Sequence, residues 1–261
     1  MKIKTLIIGI LTIAICSCSS YDKYLKSSDN NLKYRKAMEY YQNEDYVRAG
    51  NLFDQVVNVF RGSTKADTVN WYQAQSYYKQ KDYIMGGHYF KVFAQSFPYS
   101  PFAEEGEFLA AYCYYLESPK PSLDQENTML AIEAFGSFVV KFPNSKYIKE
   151  SRELTLELKD KLVEKSKNAA VLYYDMSMYK SSIVALANSL VEYPNTKYRE
   201  ELMWRLLDSN YQLAANSIAE KQKERYQVTI DEYYSFISEF PQSKYKKDAE
   251  KIYEISAKHT N

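Results

Sequence analysis

Small and large apolar residues recur along this chain at fixed intervals. Ala37, Tyr40, Ala49, Phe53 and Val56 are separated by steps of 3, 9, 4 and 3, and Ala74, Tyr77, Gly86, Phe90 and Phe93 repeat those steps. Steps of 3 and 4 put side chains on one helical face, while the step of 9 crosses a turn into a second helix. The pattern predicts helical hairpins. Ala37, Ala49, Ala74 and Gly86 let the paired helices approach, and Tyr40, Phe53, Tyr77 and Phe90 fill the space between them. Three later units keep the frame. Ala111 and Tyr114 go with Ala131, Phe135 and Phe138, the gap of 9 lengthened to 17 by a loop through Ser118-Pro119-Lys120-Pro121-Ser122. Ala170 and Tyr173 lead to Ser182, Leu186 and Ser189 with no insertion. Asp208 and Tyr211 lead to Thr229, Tyr233 and Phe236, with 18 in place of 9.

The hairpins are punctuated. Phe97-Pro98-Tyr99-Ser100, Phe142-Pro143-Asn144-Ser145, Tyr193-Pro194-Asn195-Thr196 and Phe240-Pro241-Gln242-Ser243 share one form. Proline lacks an amide hydrogen and biases its predecessor away from the α region, so each aromatic closes a helix. The Ser or Thr is placed to cap the next one. Between Tyr147 and Asp175 there is neither Gly nor Pro, which predicts one extended helix. Tyr245 to Ala257 predicts a terminal capping helix. The whole pattern resembles the tetratricopeptide repeat, from Asn31 to Pro241. That resemblance implies an all-α fold, a superhelix of helical hairpins (an α-solenoid) with about five repeats plus a C-terminal capping helix. Such repeats bury their apolar faces only by stacking on neighbours.

Ahead of the repeats, Lys2 and Lys4 precede an apolar run from Leu6 to Ile15, which is half of what a bilayer span needs and reads as a processed signal. Ile15-Cys16-Ser17-Cys18 resembles the bacterial lipobox, which implies Cys18 as the acylated first residue of the mature chain, carrying palmitate-type chains. The organisation expected is a lipoprotein signal peptide over 1–17, a lipidated tether over 18–30, front repeats over 31–145, and a long helix, rear repeats and capping helix over 146–261.

Charge excludes one class of partner. Without Lys2 and Lys4, Lys+Arg falls from 34 to 32 against 33 acidic residues, which gives no electrostatic support for nucleic-acid binding. Chemistry is equally spare. Cys113 is the one cysteine of the body and lies in an apolar helical run, where a small buried thiol is the expectation. His88 and His259 stand in different repeats with no zinc-type spacing, so neither metal nor cofactor is expected. Gly86-Gly87 has no strand before it and no Gly-Lys-Ser/Thr after it, so it is not a phosphate loop. The expected protein is not an enzyme.

The 27 tyrosines exceed what the frame needs. Tyr40, Tyr77, Tyr114, Tyr173 and Tyr211 are assigned to packing. Their followers Tyr41, Tyr78 and Tyr115 lie about 100° further round the helix and are candidates for lining a peptide groove. Arg48, Lys79 and Lys81 are candidates for drawing a terminal carboxylate to it.

Lipobox, repeats and aromatic-Pro junctions together resemble the BamD family of outer-membrane β-barrel assembly lipoproteins. Tyr34 to Phe60, Phe97 to Tyr115 and Phe142 to Tyr147 carry that likeness most closely. It implies an outer-membrane, lipid-anchored protein on the periplasmic face. It also implies docking on the β-barrel insertase through that protein's periplasmic domains, with recruitment of unfolded β-barrel precursors. Front repeats would meet clients and rear repeats the insertase. The alternative reading is a repeat lipoprotein scaffold that binds a cell-envelope glycan or another periplasmic protein.

Overall fold

The computed structural model describes residues 21–260, and the Cys18 assignment and the whole leader over 1–17 lie outside them. The described residues are helical. In order, the helices are α1 Asn30–Gln42, α2 Tyr46–Val56, α3 Ala66–Lys79, α4 Tyr83–Ser96, α5 Ala103–Glu117, α6 Glu126–Lys141, α7 Ile148–Asp175, α8 Tyr179–Glu192, α9 Arg199–Ala215, α10 Ala219–Glu239 and α11 Lys246–Thr260. Each forms tetratricopeptide-type hairpins with its neighbours: α1–α2, α3–α4, α5–α6, the end of α7 with α8, and α9–α10, with α11 packed on α10. The chain divides into two compact units. The first runs to Pro119 and resumes over Gln125–Leu158; the second takes Lys120–Asp124 and everything from Lys159. The first therefore includes the opening turns of α7, which the sequence assigns to the rear half.

The small-residue frame sits at the hairpin interfaces. Ala37, Ala49, Phe53, Ala74, Phe90, Ala111, Ala131 and Phe135 are fully buried. Gly86 is buried beside α3, where a Cβ would come within 3.1 Å of the Tyr78 amide nitrogen. Tyr40, Tyr77 and Tyr114 are half-buried at the interface edges. Tyr173 departs from the frame: it is 39% exposed, and its neighbour Tyr174 turns inward to donate to Asp208 at 2.5 Å.

Hairpin turns in three repeats share one conformation. Glu44, Lys81 and Ser177 have φ of 62°, 64° and 57°. In each, the next amide bonds back to the carbonyl five residues earlier: Asp45 to Tyr40, Asp82 to Tyr77, Met178 to Tyr173. This is a Schellman closure made without the usual glycine. Tyrosines five apart meet over it, Tyr41 with Tyr46 at 5.3 Å and Tyr78 with Tyr83 at 5.8 Å between ring centroids. Asp45 and Asp82 then cap the second helices, accepting from the Arg48 and Met85 amides. A left-handed lysine costs about 1–2 kcal/mol. Glycine at that position returns roughly 0.4–1 kcal/mol to the unfolded chain. Lys81→Gly should therefore raise stability by about 0.5–1 kcal/mol, read as a higher urea midpoint at unchanged slope. A lower midpoint contradicts the turn geometry.

Junctions between repeats carry a feature the Pro pattern only partly shows. Ser100, Ser145, Thr196 and Ser243 are not the N-caps themselves. Each lies two residues before the helix-entry aromatic and accepts its amide: Phe102 at 3.4 Å, Tyr147 at 3.1 Å, Tyr198 at 3.2 Å and Tyr245 at 3.0 Å. Those aromatics then cover a residue of the preceding first helix. Phe102 stacks on Trp71 at 4.8 Å, Tyr147 on Phe108 at 4.3 Å and Tyr245 on Trp204 at 5.1 Å. At Tyr198 the covered residue is Lys167, its ammonium 4.7 Å from the ring centre. A fifth junction, Phe60-Arg61-Gly62-Ser63-Thr64-Lys65, has no proline yet keeps the geometry. Ser63 accepts from the Lys65 amide at 3.2 Å, and Lys65 covers Tyr34 at 5.1 Å. Ring stacking contributes about 0.5–1.5 kcal/mol per pair and exposed cation–π contact about 0.5–1.

Two segments outside the repeat frame are helical. The supposed tether contains a helical stretch at 21–25, whose Tyr21, Tyr24 and Leu25 pack against the α1–α2 core. Tyr21 meets Tyr40 edge-on at 5.7 Å, so the polar count of this stretch hid three apolar anchors. The lengthened gap after Tyr211 is taken up by helix: α9 runs on to Ala215 and α10 begins at Ala219, well before Thr229. The gap after Tyr114 is a loop, held by Lys165 donating to the Leu123 carbonyl at 2.6 Å.

Candidate functional site

Tyr41, Tyr78 and Tyr115 stand at equivalent places near the ends of α1, α3 and α5, all in the first unit. The structure does not bring their rings into mutual contact; each meets its own neighbours. Tyr41 lies against Tyr46 and, at 4.8 Å, Tyr72 of the next hairpin. Tyr78 lies against Tyr83 and Phe90. Tyr115 has no clasping tyrosine because the loop puts Lys120 five residues on. It stacks on Tyr112 at 5.5 Å instead and donates to both carboxylate oxygens of Glu157 at 3.0 Å. All three are half-buried, so they serve packing while keeping an edge in solvent.

Their electrostatics are acidic. Burial first, and then neighbouring phenols and carboxylates, push the Tyr41 and Tyr78 hydroxyls up to about 12; the carboxylates are Glu105 for Tyr41 and Glu150 for Tyr78. Tyr115 is raised by burial and then by its bond to Glu157. These phenols stay protonated donors at neutral pH. The expected attraction of a carboxylate by Arg48 is not realised. Arg48 is bound to Asp45 at 3.0 Å and lies over the Tyr21 and Tyr40 rings, while Lys79 and Lys81 are exposed. The face is aromatic and acidic, suited to amphipathic segments with basic positions.

Cys113 is 1% exposed and its thiol is pushed up to about 12 by burial, so it is a protonated packing group and not a nucleophile. Gly87 touches it so closely that a Cβ there would stand 2.9 Å from the Cys113 Cβ.

A second surface lies in the second unit, and the repeat frame did not point to it. Around the α7–α8 turn, Leu172, Tyr173, Met176 and Met178 are all exposed, Met176 by 58%. Clustered exposed methionine and aliphatic groups mark protein-binding surfaces, because a flexible thioether fits varied partners. The only sequence signal was the run Met176-Ser177-Met178 in a turn, where polar residues are the norm.

Among the described residues, no helix is long and apolar enough to cross a membrane. A comparison with curated proteins found no match. The family model for YfiO, described as an outer membrane lipoprotein, matches residues 26–226, from just before α1 into α10. The chain thus belongs to the YfiO family of outer membrane lipoproteins, the family that includes BamD.

Proposed function

We propose that this protein is a non-catalytic scaffold and substrate-recruiting subunit of the outer-membrane protein assembly machinery. The family match over nearly all the hairpins carries this reading. Lipid on Cys18 anchors it at the periplasmic face of the outer membrane, where several acyl chains hold far longer than one. Palmitate label that persists in Cys18→Ala removes this part. The acidic tyrosine face of the first unit receives unfolded β-barrel precursors, whose strands alternate apolar and polar side chains and end in aromatic girdles. The Met176 patch of the second unit docks on periplasmic domains of the barrel insertase.

The division of labour is tested by photo-crosslinking from positions 78, 115 and 176 in cells. Precursors should be captured from 78 and 115, and the insertase from 176. Precursors captured only from 176 overturn the assignment.

A further inference from the structure

On the first unit, the second helices α2 and α4 flank a cleft of about 750 Å³ floored by α3. Its polar groups are nearly all planar. Asp54, Asn58 and Arg61 come from α2 and the residues just after it, and Asn70 and Gln73 from α3. Asp54 is fixed before any ligand arrives: Gln73, only 4% exposed, donates to one oxygen at 2.7 Å and Tyr77 to the other at 2.6 Å. Each oxygen keeps a lone pair. One wall is aromatic, with Tyr89 5.1 Å from Tyr77 and 5.4 Å from His88 between ring centres, and the cleft ends at Phe97.

We propose that this cleft binds a neutral, hydroxyl-rich oligosaccharide of the cell envelope. Vicinal hydroxyls both donate and accept, and carboxylate, carboxamide and guanidinium groups meet such pairs with two parallel bonds. The apolar face of a pyranose ring matches a tyrosine ring. One carboxylate opposite one guanidinium leaves no net field for a strongly charged ligand, and the volume lies in the range of small-ligand sites. This site is separate from the tyrosine face and from the Met176 patch, and it stands whether or not those bind precursors and insertase.

The test uses the full chain in detergent and calorimetric titration with chitotetraose and maltotetraose. At least one should bind saturably. Asn58→Ala with Arg61→Ala, both at exposed positions, should weaken it by about tenfold or more while leaving the circular dichroism unchanged. Gln73→Leu, which frees Asp54, should weaken it as well. Absence of binding by both sugars at millimolar concentration overturns the proposal, as does affinity unchanged in the Asn58/Arg61 variant. A precursor peptide that binds where the sugars do not, and is lost in the same variant, makes the cleft a peptide site and also overturns it.

Discussion

Phe108→Ala should destabilise the first unit by about 3–5 kcal/mol, the usual cost of removing a buried aromatic ring. Phe108 is 5% exposed and stands at the middle of a run of rings: Tyr147 at 4.3 Å on one side, Tyr112 at 5.8 Å on another, with Phe135 and Phe138 below at 5.9 and 5.8 Å. Helix α5 cannot shift toward α4 to ease the loss, because Gly106 and Gly87 already hold the two at the limit of contact. Domains have about 5–15 kcal/mol in all, so the variant should be near unfolding at body temperature. Phe108→Leu keeps most of the volume and should cost only about 1.5 kcal/mol. Urea denaturation of the two variants checks the difference; equal, small losses contradict the packing described. Because Tyr112 links Phe108 to Tyr115, the alanine variant should also lower precursor crosslinking from position 115 before global unfolding.

The second expected result concerns the insertase. A chain ending at Leu158 should fold, keep its anchor and lose co-purification of the barrel insertase completely. The end point matters. Tyr147 covers Phe108, and Leu158 is fully buried in the same core, so a cut after Ser145 strips both and exposes Phe108 and Phe138. Loss of partner by the shorter chain would then report only misfolding. The full-length variant Met176→Glu supplies the complement: it places a charge in an exposed apolar patch, leaves the core alone, and should release the insertase from an otherwise intact protein. An insertase retained by the chain ending at Leu158 moves the interface to the first unit.

The hairpins were legible because their determinants lie within one turn or one hairpin of each other. Small and large residues at 3, 4 and 9 survive as a pattern in a single chain, and proline announces four helix ends. What was missed lies farther apart or under a change of residue type. Phe102 and Trp71 are 31 positions apart, Tyr245 and Trp204 are 41, and in two junctions one partner is a lysine. No fixed step finds such pairs. The junction at Phe60 lacks the proline that flagged the others. The repeat frame, degenerate at its small positions there, puts Tyr173 inward, whereas Tyr174 takes that place by reaching Asp208. At the candidate groove, sequence named the three tyrosines but not the carboxylates beside them. The acids beside them come from later repeats, Glu105 and Glu150 two repeats on from Tyr41 and Tyr78, and Glu157 one repeat on from Tyr115.

All five junctions, from Phe60–Lys65 to Phe240–Tyr245, have the same six-residue length, whereas the hairpins absorb extra residues at their tips: the tip after Glu117 spans eight residues where the other four span three, and the hairpin after Tyr211 has longer helices. The chain thus has two kinds of address for new material. At a tip, extra residues lengthen a helix, as after Tyr211, or form a loop, as after Glu117, and the next repeat still receives its ring in register. At a junction, one added residue separates the hydroxyl from the amide it holds and the ring from its seat. Growth of this architecture by insertion, whether through descent or in the laboratory, is confined to the tips, and fused reporters belong there.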